Sequence, residues 1–469
     1  MNQNSSMVRL GIPLLISFAL LIGLFAVLMV LPASAGDAPN DPPSPLAPSA
    51  LAVDCSIRRV SVAYDGTQGN GDSSGAAISA DGRYVAFSSY ADNLVADDTN
   101  EHSDVFVRDM LTGKITLVSV TSDGVQGNGN SWGPSLSADG RYVAFTSFAS
   151  NLVEGDANDR WDVFVHDRET GETTLASVLP EFEFRQESDF ASMSADGHYV
   201  AFIGDYCCLV TTDVRFGYVR DLQAGHTITA AFGLTRHGTG YVYTNIDSIV
   251  LSSDGRYVVF GTGADSVVVS DTNHAFDVFI RDWQTGWTER VSVASDGTQG
   301  NDDSIGHAVS ADGRYVAFAS RATNLVFSDT NQAYDVFVRD VQEGETTRVS
   351  VASDGSQAEY GVRGAVAISG NGRYVAFPSF SRDLAGGSGV NIYVHDNWTG
   401  ITTRIYTGPE ENNRSDHPAF SFDGRYLVFD SRSSNLVDGD TNNAQDVFIC
   451  DGRGVWMPPV VYLPLVLRK

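Results

Sequence analysis

Five short loops share the pattern Asp-x-Asn-x-x-x-Asp. They are Asp98, Asn100, Asp104; Asp156, Asn158, Asp162; Asp271, Asn273, Asp277; Asp329, Asn331, Asp335; and Asp440, Asn442, Asp446. Alternating carboxylates with an amide offer hard oxygens from a short stretch, the donor set that calcium takes. The same side chains serve a second purpose equally well, capping turns by bonding backbone N–H groups of their own segment. The sequence leaves both readings open, with calcium as the candidate cation, because repetition is expected of either. A related stretch keeps Asp213 but has Arg215 where Asn is expected, and another offers only Gly386-Gly387-Ser388-Gly389.

Other chemistry finds little footing. Gly71-Asp72-Ser73-Ser74-Gly75 and Gly129-Asn130-Ser131-Trp132-Gly133 fit G-x-S-x-G, but a hydrolase elbow runs from strand to helix and these phrases precede a strand. The nine histidines form no H-E-x-x-H. In so acidic a chain no carboxylate pair stands out as acid and base. The departures from pattern are the remaining candidates: 182–185, His198, Arg215, Arg363, Arg382, Asp383 and His417. An enzyme working in a central channel would draw on them, and drifted copies would also leave them.

The elements that position these residues come from one repeated phrase. Ser79-Ala80-Asp81-Gly82-Arg83-Tyr84-Val85-Ala86-Phe87 returns at 137–145, 194–202, 252–260, 310–318, 369–377 and 421–429. Successive starts differ by 58, 57, 58, 58, 59 and 52 residues. Each period holds four strand-like runs, in the first copy 76–79, 83–88, 104–109 and 115–120, with period-two alternation in the second and third. Asp81-Gly82 and Thr112-Gly113 supply tight turns. No helical period competes after the first stretch. The expectation is an all-β chain, a seven-bladed β-propeller of four-stranded antiparallel blades over 57–454. The last period stops without a fourth strand, and Arg58-Arg59-Val60-Ser61-Val62 matches the missing one, so the N-terminal strand is expected to close the ring. Tight turns then share one face and long links the other, where any local function belongs.

The S-x-D-G-x-x-[IV]-A-F phrase, followed by D-V-F-V-R-D-x-x-T-G, resembles the TolB-like, WD-repeat-like propeller family. The resemblance runs from about Arg58 to Arg453 and implies the blade type, with no particular activity. That family often has Pro after the first Ser, whereas this chain has Ala, Ser, Gly or Phe. TolB itself carries a separate domain ahead of its propeller; here a spacer stands in that place. The propellers of prolyl-oligopeptidase-like enzymes have similar blades beside a hydrolase domain, for which no residues are left over.

The ends and the charge bound the setting. Arg9, an apolar run and Ala33-Ser34-Ala35 describe an export signal over 1–35, with an uncleaved anchor as the alternative. Residues 36–56 read as a Pro-rich spacer and 455–469 as an apolar tail, too short and Pro-broken to span a bilayer. Thirty basic against 58 acidic residues give a net charge of −28, which repels phosphate backbones, so a nucleic-acid partner is not expected. Export permits disulfides, and Cys55 and Cys450 should come close if the ring is latched; Cys207 and Cys208 read as buried thiols or a vicinal bridge. The functional expectation is an exported binding or scaffold propeller, extracellular, on the cell surface or periplasmic, holding a protein or carbohydrate on the long-loop face. The alternative is a channel-sited enzyme such as a polysaccharide lyase or glycoside hydrolase.

Overall fold

Each Ser-x-Asp-Gly phrase folds into the same knot. Ser79 Oγ donates to Asp81 Oδ1 at 2.7 Å, and that carboxylate accepts the Arg83 N–H at 2.9 Å. The Tyr84 N–H donates to Ser79 Oγ at 2.9 Å. Gly82 takes φ +75°, which only glycine adopts cheaply. Ser137 and Asp139 repeat the pattern in the next copy, and the others follow. The side chain of Arg83 then reaches the third strand and grips Asp109 through two nitrogens, at 3.2 and 2.8 Å. Asp109 in turn accepts the Leu111 N–H and so fixes the second tight turn.

The computed structural model describes residues 55–457, apart from 157, 180–186, 207–213, 238–239, 245, 363–364, 387–388 and 407–412. The expected signal segment, most of the spacer and tail, and Cys207 and Cys208 lie outside the described residues. Among those described there are seven four-stranded antiparallel sheets and no helix. Blade one comprises Ser73–Ile78, Tyr84–Ser89, Asp104–Asp109 and Ile115–Leu117. The chain is an all-β, seven-bladed propeller.

Strands two and three are covered on both sides by neighbouring blades, which is why they read as near-continuous apolar runs. Val85, Ala86 and Phe87 are fully buried, as are Val105, Phe106 and Val107. Phe87 stacks on Phe106 across the sheet at 5.9 Å, and equivalent aromatic pairs recur in the other blades. Each cluster spans two blades: Ala86, Val105 and Val107 of blade one meet Val143, Phe145 and Phe164 of blade two.

A closed circle of backbone hydrogen bonds joins the first tight turns. The N–H of Ala80 donates to Ala138 O, Ala138 to Ala195, Ala195 to Ser253, Asp254 to Ala311, Ala311 to Gly370, Gly370 to Phe422, and Phe422 back to Ala80, at 2.8–3.1 Å. Six of these donors belong to the residue after the motif serine. Proline has no N–H to give there, which accounts for its absence from six of the seven copies.

The strand Ser56–Arg59 pairs antiparallel with Asp446–Asp451 of blade seven, with Ile57 opposite Cys450. The Val60 N–H donates to Val447 O at 2.7 Å. Cys55 and Cys450, 395 residues apart, form a disulfide with Cα atoms 5.6 Å apart. The apolar tail begins as part of the blade: Trp456 is buried and its indole N–H donates to Gly424 O at 2.9 Å. Trp283 does the same for Gly255 O in blade four.

Three details differ from the sequence expectation. Inner strands start earlier, at Ser73 rather than Ala76, because a bulge between Ser74 and Ala77 breaks the alternation. Outer strands end earlier, at Leu117 rather than Val120. An additional hairpin, Gly233–His237 with Gly240–Thr244, sits in what reads as a simple link after blade three.

Candidate functional site

The Asp-x-Asn-x-x-x-Asp loops lie on the link face, and many of their oxygens bond within the fold, while Asp271 Oδ1 and Asp329 Oδ2 are buried without a hydrogen bond. In blade five Asp335 Oδ1 accepts the Ser350 hydroxyl. The Gln357 amide spans both carboxylates, at 2.8 Å from Asp329 and 3.0 Å from Asp335. Asn331 donates to Ala358 O at 2.9 Å and accepts the Ala333 N–H at 3.0 Å. That second bond bridges Gln332, held at φ +55°. The residue after each loop Asn repeats this: Glu101, Asp159, His274 and Asn443 take φ of 54–59°. The Asn is therefore required as the cap of a left-handed turn.

The cation beside each buried Asp pair is a guanidinium in three blades. Arg290 lies 3.1 Å from Asp271 and 3.6 Å from Asp277. Arg59 lies 3.0 Å from Asp440 and 3.3 Å from Asp446. Arg348 lies 3.6 and 3.9 Å from Asp329 and Asp335. Leu117 and Leu175 stand at the same place in blades one and two. There burial pushes Asp104 up to about 6 and Asp162 to about 7. In blade one the Gln126 amide bridges Asp98 and Asp104, at 2.7 and 2.9 Å; in blade two Asn158 and Ser177 bond Asp162. Among the described residues no group of three or more His, Cys, Asp or Glu side chains is placed to hold a metal. The calcium expectation finds no ligand set among the described residues, and the capping bonds are formed, as from the His102 N–H to Asn100 and from the Ala333 N–H to Asn331.

The link face carries a second feature, found by comparing the copies. Three positions vary while their neighbours stay fixed: the second residue of the inner strand, the residue after strand two, and the residue before the Asp that opens strand three. They read Ser74, Tyr90, Ser103 in blade one; Trp132, Phe148, Trp161 in blade two; Asp247, Gly263, Phe276 in blade four; Ile305, Arg321, Tyr334 in blade five; and Asp416, Arg432, Gln445 in blade seven. The fixed neighbours form a frame. Ser73 and Ser89 share a hydrogen bond at 2.9 Å, and Ser89 Oγ accepts the Ala91 N–H. Inner strands of adjacent blades pack side by side around the axis, so the variable positions gather at the channel mouth.

In blades two and three the mouth is aromatic. Trp132 meets Trp161 edge-on at 5.9 Å and Phe190 at 6.0 Å, while Phe148 lies 5.4 Å from Trp161. Trp132, Phe148 and Phe190 are 37–45% exposed, an open platform rather than core. Arg215 sits over Phe190 and pairs with Asp189. Between blades five and six a cleft of about 550 Å³ is lined by Arg321, Tyr334, Tyr360 and Phe380.

Two mouth residues have strained backbones. The inner-strand bulge needs positive φ, and Gly75, Gly133 and Gly306 supply it; Phe190 at +58° and His417 at +48° occupy the same place. His417 Nδ1 lies 3.0 Å from Asp430, whose hydrogen bond holds the imidazole above its usual range. Asp430 also accepts the Gly75 N–H at 3.1 Å.

The irregular residues singled out from the sequence do not converge. Arg215 and His417 lie at the mouth, on blades three and seven. His198 is on the opposite, tight-turn face, in place of the motif arginine and 3.7 Å from Asp221. Arg363 and 182–185 lie outside the described residues. The aromatic platform was not anticipated; its signal was the divergence of three positions between otherwise matching copies.

No family profile matches the sequence, and no curated protein matches it. Solved structures do. An oligogalacturonate lyase from Vibrio parahaemolyticus superposes with TM-score 0.53 and 12% identity, over 86% of this chain and 96% of that one. The β-propeller domain of the Trilobed protease from Pyrococcus furiosus gives 0.50 and 14%, over 82% and 96%. TolB from Acinetobacter baumannii gives 0.39 and 14%, over 72% and 64%. The likeness is one of fold. It shows a β-propeller and leaves the activity to this chain's own residues.

Proposed function

We propose that the protein is an exported, TolB-like binding propeller whose ligand is a carbohydrate held across the channel mouth on the link face. The observation that carries this reading is the Trp132, Phe148, Trp161 and Phe190 platform. Exposed rings at the mouth of a rigid scaffold offer flat apolar faces to the C–H faces of sugars and lose little entropy on binding. The export signal over 1–35 and the disulfide chemistry support an extracytoplasmic setting. The repeat phrase supports the family assignment. The strand Ser56–Arg59 acts as the latch of the ring, a role its pairing with blade seven and the Cys55–Cys450 bridge support.

The test is a glycan-binding screen with the full exported chain and with the Trp132→Ala, Trp161→Ala double variant. Stacked rings contribute on the order of 1 kcal/mol each, so the double variant should lose about tenfold or more in affinity. Undiminished binding by the variant, with an unchanged melting temperature, overturns the platform as the site.

A second reading is catalysis at the mouth. The strained, carboxylate-bound His417 favours it, as does the resemblance in fold to an oligogalacturonate lyase. It predicts release of shortened or unsaturated sugar ends, abolished by His417→Gln. Bound glycan recovered intact excludes it.

A further inference from the structure

We propose that the cleft between blades five and six is a subsite for a carboxylated sugar ring, with Arg321 as the partner of the carboxylate. The proposal rests on the carbohydrate reading above for ligand class and adds both a second place and a charge requirement. The chain carries 30 basic and 58 acidic residues. More than half of the described arginines have a carboxylate partner: Arg83, Arg141, Arg256, Arg314, Arg373 and Arg425 each grip the Asp of their own blade. Arg321 has no ion-pair partner among the described residues. Its guanidinium lies over the Tyr334 ring at 5.7 Å.

The surroundings keep it so. The cleft of about 550 Å³ is walled by Tyr334, Tyr360, Phe380 and Ile305, with the Gln332 amide as a further polar group and no carboxylate in its lining. Asp302 and Asp303 are near enough to act on the Tyr334 hydroxyl, but their hydrogen bonds go elsewhere: Asp302 Oδ1 accepts the Asp303 N–H at 2.8 Å. Asp303 Oδ1 accepts the Phe276 N–H at 2.9 Å on the blade-four side. Asp383 Oδ2 accepts the Glu359 N–H at 2.9 Å. A second hollow of about 490 Å³ shares Tyr360 and Phe380 and is also lined by Arg382 and Glu359. Arg382 too lacks an ion-pair partner among the described residues. The two hollows share aromatic walls and so make one trough, lined by two arginines and by the Glu359 carboxylate. Tyr360, Phe380 and Ile305 are 38–54% exposed, so the walls are open to a ligand. Aromatic faces suit pyranose rings, and an unopposed guanidinium gives planar, two-point recognition of a carboxylate. Arg321 is exposed; a hexuronate offers its guanidinium a carboxylate in place of water, and a neutral sugar does not.

The experiment is calorimetric titration of the full chain with hexuronate tetramers of the galacturonate, mannuronate and glucuronate series, each beside its carboxyl-reduced counterpart. At least one uronate should bind ten times or more tighter than its reduced form, with an advantage that shrinks in high salt. Arg321→Gln should erase that advantage, and Arg321→Lys should restore part of it. Trp132→Ala should leave the uronate preference intact. Melting curves should not move for the Arg321 variants, because no internal ion pair is lost. Equal affinity for acidic and reduced sugars, or a preference unchanged in Arg321→Gln, overturns the subsite while leaving the carbohydrate reading in place. No binding of any glycan overturns both. Displacement of a bound uronate by polyglutamate at equal concentration would make the trough a peptide site and overturn the proposal.

Discussion

The ring of Tyr426, in blade seven, lies directly on the α-carbon of Gly82, in blade one. Tyr84 lies on Gly140, Tyr142 on Gly197, Tyr199 on Gly255, Tyr257 on Gly313, Tyr315 on Gly372 and Tyr374 on Gly424. The motif's Gly and Tyr are thus the two halves of an interblade clasp, repeated until it returns to its start. Gly82→Ala should cost about 2–4 kcal/mol, since a Cβ collides with the ring and φ is +75°. Gly66→Ala, at φ +90° but in open space, should cost only about 1 kcal/mol. Denaturant midpoints compare the two, and equal losses would mean the clasp contributes nothing.

Arg348 separates two buried carboxylates, so Arg348→Leu should destabilise blade five by about 3 kcal/mol at pH 7. Leu117→Arg should do the reverse in blade one by placing a guanidinium beside Asp98 and Asp104. Both effects should shrink near pH 4, because burial holds Asp335 above the usual carboxylate range and Asp104 at about 6, so each gains its proton as the pH falls. Melting temperatures at the two pH values decide it; an Arg348→Leu loss as large at pH 4 as at pH 7 would assign the effect to packing.

Asp162 gives stability a sign that is opposite to the usual carboxylate. Burial pushes it up to about 7, against 3.8 in an unfolded chain. The folded state therefore holds a proton that the unfolded state has released, and the contribution is complete below about pH 4 and lost as pH climbs to 7. Asp162→Asn should remove that slope, on the order of 1–3 kcal/mol across the window. Asp109, held down at about 2 chiefly by its bond from Arg83, works the other way and weakens the fold between about pH 4 and 2. A wild-type stability curve that is flat from pH 4 to 7 would contradict the assignment to Asp162.

The Cys55–Cys450 bridge closes nearly the whole chain into one loop of 395 residues. Loop closure of that length constrains the unfolded chain by up to about 5 kcal/mol. Cys55→Ser with Cys450→Ser should lower the melting temperature by several degrees and make blade seven the first to exchange its amide hydrogens. Uniform exchange across all blades would mean the bridge acts on the unfolded chain alone.

How much of this was legible follows from which residues repeat. The S-x-D-G-R-Y phrase yields the blades because each of its members has a fixed bond: Ser and Asp to the turn, Arg to strand three, Tyr to the next glycine. The bulge at Gly75 hid the start of the inner strand, since it interrupts period two. The arginines between the Asp pairs were not legible, because Asp271 lies in the link before strand three and Arg290 on strand four, and only the folded sheet brings them together. Calcium was a reasonable expectation for the carboxylates taken alone. The aromatic mouth was present in the sequence only as disagreement among copies, and motif reading discards disagreement.

Ser56 pairs with Asp451, so the chain enters and leaves the propeller at one point on its outer rim. The latch and the last strand of blade seven are therefore side by side, so a probe at Ser56 and a probe at Asp451 report the same event, the opening of the ring.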